Sequence, residues 1–150
     1  RAMLAAQRSY ESMCPGEEPP WLGLYTEAAF AADLGKCLID LGEAEHAIKQ
    51  STIAVNDYEP WRVRARCFAQ TDLAGAHLIG RDFEQVAASG RDALRSAADV
   101  RSTRTLDRLR TLQRQIRPLR TNSTQLRELD ELIMAMLTRN DARRNEKPTA

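Results

Sequence analysis

Apolar residues recur along this chain three and four positions apart, and they almost never alternate strictly with polar ones. That is helical spacing. The clearest stripe is Leu126, Leu129, Ile133, Met136 and Leu137, at i, i+3, i+7, i+10 and i+11, which predicts a helix over 124–138. The same reading predicts helices over 1–13, 26–41, 43–56, 61–79, 82–98 and 102–117. Between them stand helix breakers and capping residues: "CPGEEPP" (14–20), Gly42, "NDYEPW" (56–61), Gly80, Pro118 and "TNST" (121–124). The expected fold is all-α, built of helix pairs with short loops. Residues 1–138 form the folded domain and the polar stretch 139–150 is expected to be a disordered tail.

The pairs repeat. A shift of 39 residues lays Leu34 on Leu73 and Leu112, Gly35 on Ala74, and Leu38 on His77 and Ile116. It also lays Ala44 on Phe83, Ala47 on Val86, and Ala54 on Ala93 and Leu132. Gly in a helix interior costs about 1 kcal/mol against Ala, so a small residue held at fixed spacing needs a reason. Close approach of two helices supplies one: Gly35 and Ala47 let the backbones meet while Leu34, Leu38 and Ile48 fill the flanks. A unit of this kind buries its outer face only by stacking on the next.

Leu34, Gly35, Leu38, Gly42, Ala44, Ala47, Ser51 and Ala54 resemble the tetratricopeptide repeat in order and spacing, with Leu73, Ala74, His77, Phe83, Val86 and Ala93 as a second copy. The period of 39 is longer than the family's 34, and Gly80 comes one position early for the turn. The resemblance implies a solenoid of about three and a half helical hairpins with the last helix as a cap. More narrowly, "PPWLGLYTEAAFAADLGKCLIDLG" (19–42), "VRARCFAQTDLAGAHLIGRDFEQVAASGRDAL" (63–94) and "VRSTRTLDRLRTLQRQIRPLR" (100–120) resemble the C-terminal repeat region of actinobacterial helix-turn-helix regulators of the Xre type. That resemblance implies a sensor region that binds a peptide, a small ligand or a second subunit. DNA would be touched only through a domain outside these residues. The chain opens on Arg1 already in helical pattern, so it is expected to be a piece of a longer protein.

In tetratricopeptide repeats the first helix of each pair lines the concave groove. The 39-residue register then places Ala29, Ala32, Lys36 and Ile39, next Phe68, Thr71, Gly75 and Leu78, and last Asp107, Arg110, Arg114 and Arg117 along it. Such a groove is apolar at one end and basic at the other, and suits an extended segment with an acidic end. Leu132 and Met134 fall outside the main stripe of the last helix and are candidates for self-association as a homodimer.

Composition narrows the classes. The net charge of +1 names no partner, and no apolar run is long enough for a membrane span. Arg outnumbers Lys 19 to 3, the bias of a high-GC genome. Segment 99–120 carries seven Arg but no interleaved aromatic, so these Arg are expected on solvated helix faces, paired to acids of neighbouring helices, and not on nucleic acid. Three cysteines, Cys14, Cys37 and Cys67, lack CxxC spacing and fit reduced thiols in a cytoplasmic protein. No phosphate loop, dinucleotide fingerprint or metal motif is present, so no cofactor or metal is expected and an enzyme reading has no residues to stand on. Trp21 and Trp61 are expected to plug the gap between a long loop and the stack, His77 to take a core position, and His46 and acids such as Glu128, Asp130 and Glu131 to be solvated. The reading is a binding and oligomerisation module of a regulator. A stand-alone adaptor with no DNA role is the alternative.

Overall fold

Thr26 starts the first long helix. Its backbone is extended (φ −79°, ψ 166°) and its Oγ1 accepts from Ala29 N at 3.3 Å, which satisfies one of the amide groups that a helix start leaves unpaired. In the computed structural model, which describes residues 2–13, 25–98, 100 and 102–145, this helix is the second of seven. They are α1 (Ala2–Glu11), α2 (Glu27–Asp40), α3 (Ala44–Asp57), α4 (Val63–Ile79), α5 (Phe83–Ala98), α6 (Thr103–Ile116) and α7 (Thr124–Asn145), with a 3-10 segment, Arg117–Asn122, between the last two. The fold is all-α: the helices pack on one another and no strand occurs among the described residues. No helix among them is long and apolar enough to cross a membrane. The break expected at 14–20, with Cys14, and the side chain Trp21 lie outside the described residues.

Three backbone bonds of the α2–α3 turn recur in the α4–α5 turn at a shift of 39. Leu41 N, Gly42 N and Glu43 N donate to Cys37 O, Ile39 O and Leu38 O. Gly80 N, Arg81 N and Asp82 N donate to Ala76 O, Leu78 O and His77 O. These bonds take up carbonyls left free where a helix ends. Both turns need one left-handed residue, and it is Gly42 (φ 76°) in the first but Arg81 (φ 58°) in the second. Gly80, expected to be the turn glycine, is an ordinary right-handed cap.

Burial follows the same shift. Gly35 and Ala74, Ala47 and Val86, Ser51 and Gly90, Ala54 and Ala93 are all buried. A Cβ on Gly35 would stand 2.8 Å from Ser51 Oγ and 3.2 Å from Ser51 N, so α2 and α3 touch there backbone to side chain. Alanines make most of this half of the core: Ala28, Ala31, Ala54 and Ala69 with Tyr58 in one cluster, Ala47 and Ala76 with Leu38 in another. The larger cluster, shared by α4, α5, α6 and α7, is built on Leu94, Leu109, Leu112, Ile116, Leu126, Leu129 and Ile133.

The third pair departs from the first two. Shifting Ala93 by 39 gives Leu132, which is 48% exposed. A shift of 43 restores the pattern: Val86, Ala87, Gly90 and Leu94 fall on Leu129, Asp130, Ile133 and Leu137, all buried. The 3-10 segment supplies the extra residues, since seven (117–123) separate α6 from α7 where three (80–82) separate α4 from α5. With a longer turn and no small residue between them, α6 and α7 share far fewer close contacts than either earlier pair.

Two ends differ from expectation. α7 runs on to Asn145, seven residues past the end expected at 138. Arg110 Nη2 bonds Asp141 Oδ1 at 3.1 Å and Asn140 Nδ2 donates to Met136 O, so polar contacts carry the helix where apolar ones end. Trp61 does not plug a gap: it is 75% exposed at the α3–α4 turn. α1 rests on the first pair through the Tyr10–Phe30 stack, centroids 4.2 Å apart, and through Met3 against the Leu38 cluster.

Candidate ligand groove

An open groove of about 570 Å³ lies between α6 and α7. α6 contributes Asp107, Arg110, Thr111 and Arg114, and α7 contributes Met134, Leu137, Thr138 and Asp141. One wall therefore carries two guanidinium groups and the Asp107 carboxylate, and the other a thioether, a leucine and the Asp141 carboxylate. Arg110 is held at both sides, by Asp107 Oδ1 at 3.0 Å and Asp141 Oδ1 at 3.1 Å. Arg114 is exposed and bonds only a hydroxyl, Thr111 Oγ1 at 3.1 Å, so its charge has no acid partner among the described residues.

A second constellation lies where α2, α4 and α6 touch in succession. Asp72 Oδ1 accepts from Arg108 Nη1 at 2.6 Å, and the same guanidinium stands 5.2 Å from the Phe68 ring centroid. Ring and carboxylate together hold the cation by its face and its edge. The Asp72 side chain is only 12% exposed. Burial pushes its carboxyl up to about 6, against the pull of Arg108 and Lys36, with Asp40 adding to the rise. Lys36 is itself paired to Asp40 one turn on.

The residues expected in one groove are thus divided. Lys36 and Phe68 come together, joined by Asp72 and Arg108, which sequence reasoning missed. Arg110 and Arg114 turn instead to α7, where Met134 meets them. The register missed because Thr105, Leu109, Leu112 and Ile116 set the rotation of α6 by going to the core, and that places Arg108, not Asp107, over Phe68. Arg117 is exposed at the start of the 3-10 segment, apart from both groups. Ala32 and Ile39 are half-buried in packing clusters, and Leu78 packs on the main core. Thr71 is buried and its hydroxyl donates to Cys67 O at 2.7 Å, so it presents nothing to a ligand. Leu132 is exposed on the outer side of α7.

Of the two thiols among the described residues, Cys37 is exposed on α2. Cys67 is fully buried, its Sγ donates to Ala93 O at 3.3 Å, and burial pushes the thiol up to about 11. Burial lowers the pKa of half-buried His77, with Asp82 opposing, and its Nδ1 has no partner. No group of three metal-ligating side chains occurs among the described residues. Comparison with protein-family models, with curated proteins and with solved structures gives no match.

Proposed function

We propose that the chain is a tetratricopeptide-like binding and oligomerisation module, and that its ligand is a peptide segment carrying an acidic residue or a terminal carboxylate. The α6–α7 groove carries this reading. It is the place where the repeated pair gives way to an open one, and Arg114, which has no acid partner among the described residues, lies opposite Met134 and Leu137. A carboxylate on Arg114 forms a charge-assisted bond, and an apolar neighbour in the peptide covers Met134, a side chain that adapts to irregular partners. The sensor role in a bacterial transcription regulator rests on the resemblance of segments 19–42, 63–94 and 100–120. In that role, ligand in the groove shifts the packing of α6 against α7, and so the state of an attached domain.

The test is fluorescence anisotropy with a short labelled peptide holding Leu and Asp residues, beside the same peptide with Asn for Asp. Binding of the first and about tenfold weaker binding of the second is expected, as is loss of that difference in Arg114→Glu. Equal binding of both peptides, or an unchanged Arg114→Glu, removes the groove from the reading.

A further inference from the structure

The face of α7 that points away from the core carries Glu128, Leu132, Ala135 and Arg139, all exposed. They fall at i, i+4, i+7 and i+11, a single straight stripe. It runs opposite the buried Leu126, Leu129, Ile133 and Leu137. Leu132 is 48% exposed, so about half of it is left uncovered by the described residues.

The stripe reads acid, apolar, apolar, base, and its midpoint lies between residues 133 and 134. Turned end for end about that midpoint, the acid falls on the base and Leu132 on Ala135. Glu128 and Arg139 are about 16 Å apart along the axis at 1.5 Å per residue, so both charges are met at once by a second α7 laid antiparallel. A two-fold interface requires a patch that complements itself in this way. Glu128 accepts from Arg91 Nη2 at 3.1 Å, which steadies the carboxylate at the edge of the stripe. Arg139 has no acid partner among the described residues. We propose that the Glu128–Leu132–Ala135–Arg139 stripe is an antiparallel homodimer interface, with Glu128 of each copy paired to Arg139 of the other and the two Leu132 side chains covered by Ala135. A parallel pairing sets Glu128 against Glu128 and is disfavoured. The proposal gives a face to the oligomerisation part of the function above and rests on that part alone. Met134, which lines the groove, lies to one side.

Light scattering over roughly 10–500 µM protein tests it, the range in which a small interface associates. The samples are wild type, E128R, R139E, the double variant, and an equimolar mixture of the two single variants. Wild type is expected to be a dimer. Each single variant is expected to be a monomer, because each sets like charges together twice. The mixture is expected to dimerise, since the bases of E128R then meet the acids of R139E at both ends, and the double variant is expected to pair with itself. A misfolded variant does not regain a dimer on mixing, so recovery separates interface from fold. R139E also leaves the Arg91–Glu128 bond intact. A wild-type monomer throughout overturns the proposal and the oligomerisation reading together, while peptide binding at the groove is measured apart from both. A dimer untouched by the single variants, or a mixture that stays monomeric, overturns the face and its antiparallel geometry alone.

Discussion

Arg81 holds the same left-handed backbone as Gly42, 39 residues before it, and the three backbone bonds that close each turn correspond. The turn geometry is thus fixed by what it closes, not by the residue that occupies it. A side chain at such a position costs about 1 kcal/mol. The Arg81 guanidinium, 6.0 Å from the Phe83 ring centroid, returns part of that at an exposed site. Arg81→Gly is therefore expected to raise stability by about 0.5 kcal/mol, and Gly42→Ala to lower it by about 1 kcal/mol, in urea melts.

Gly35 and Ser51 meet so closely that neither can grow alone. Gly35→Ala gains about 1 kcal/mol of helix propensity in isolation, yet here it is expected to destabilise by about 1 kcal/mol or more. At the equivalent positions of the second pair the sizes are reversed, Ala74 on α4 and Gly90 on α5, although what a Cβ on Gly90 would meet is Leu129 of α7, at 2.6 Å. Adding Ser51→Gly to Gly35→Ala copies that arrangement. The double variant is expected to recover a large part of the loss, a coupling of about 1 kcal/mol in a double-mutant cycle. Additive losses would show that the two helices are spaced by something else.

Asp72 gives the fold a pH signature. Its carboxyl titrates near 6 in the folded chain and near 3.8 when free, so between those values the folded state holds the extra proton. The contribution of this group to stability is full below about pH 4 and is lost as pH rises through 6. Asp72→Asn removes that dependence. The stability of wild type relative to the variant is expected to be greater at pH 4.5 than at pH 7, by about 1–3 kcal/mol. Because the same variant is compared at both pH values, the opposite trend from His77 cancels. A difference that is constant, or larger at pH 7, would place the Asp72 pKa at or below the free value.

The period of 39 was legible because small and large residues alternate at positions where two helices must touch. Arg81 was not, since nothing in an arginine side chain announces a left-handed backbone. Shifting the last helix by the same 39 failed because spacer length, not side-chain pattern, sets its register. Asp130 was hidden in the acidic run with Glu128 and Glu131, which read as a solvated face. It is 1% exposed, bonded to Arg120 Nη1 at 3.3 Å, with its other oxygen unpartnered. Its place at i+4 from Leu126 and i−3 from Ile133, inside the apolar stripe, was the signal that could have found it. Arg108 and Asp72 carry no such mark: they are charged residues on charged helix faces until α4 and α6 are brought side by side.

The 3-10 segment has a consequence for how a binding cleft can arise. Its residues join one end of α6 to one end of α7 and line none of the groove, yet they connect its two walls. Connection and lining are therefore inherited separately. A gain or loss of a few codons at 117–123 would shift α7 against α6 while every lining side chain of the groove is kept, and substitutions in the lining would change its chemistry without altering that connection.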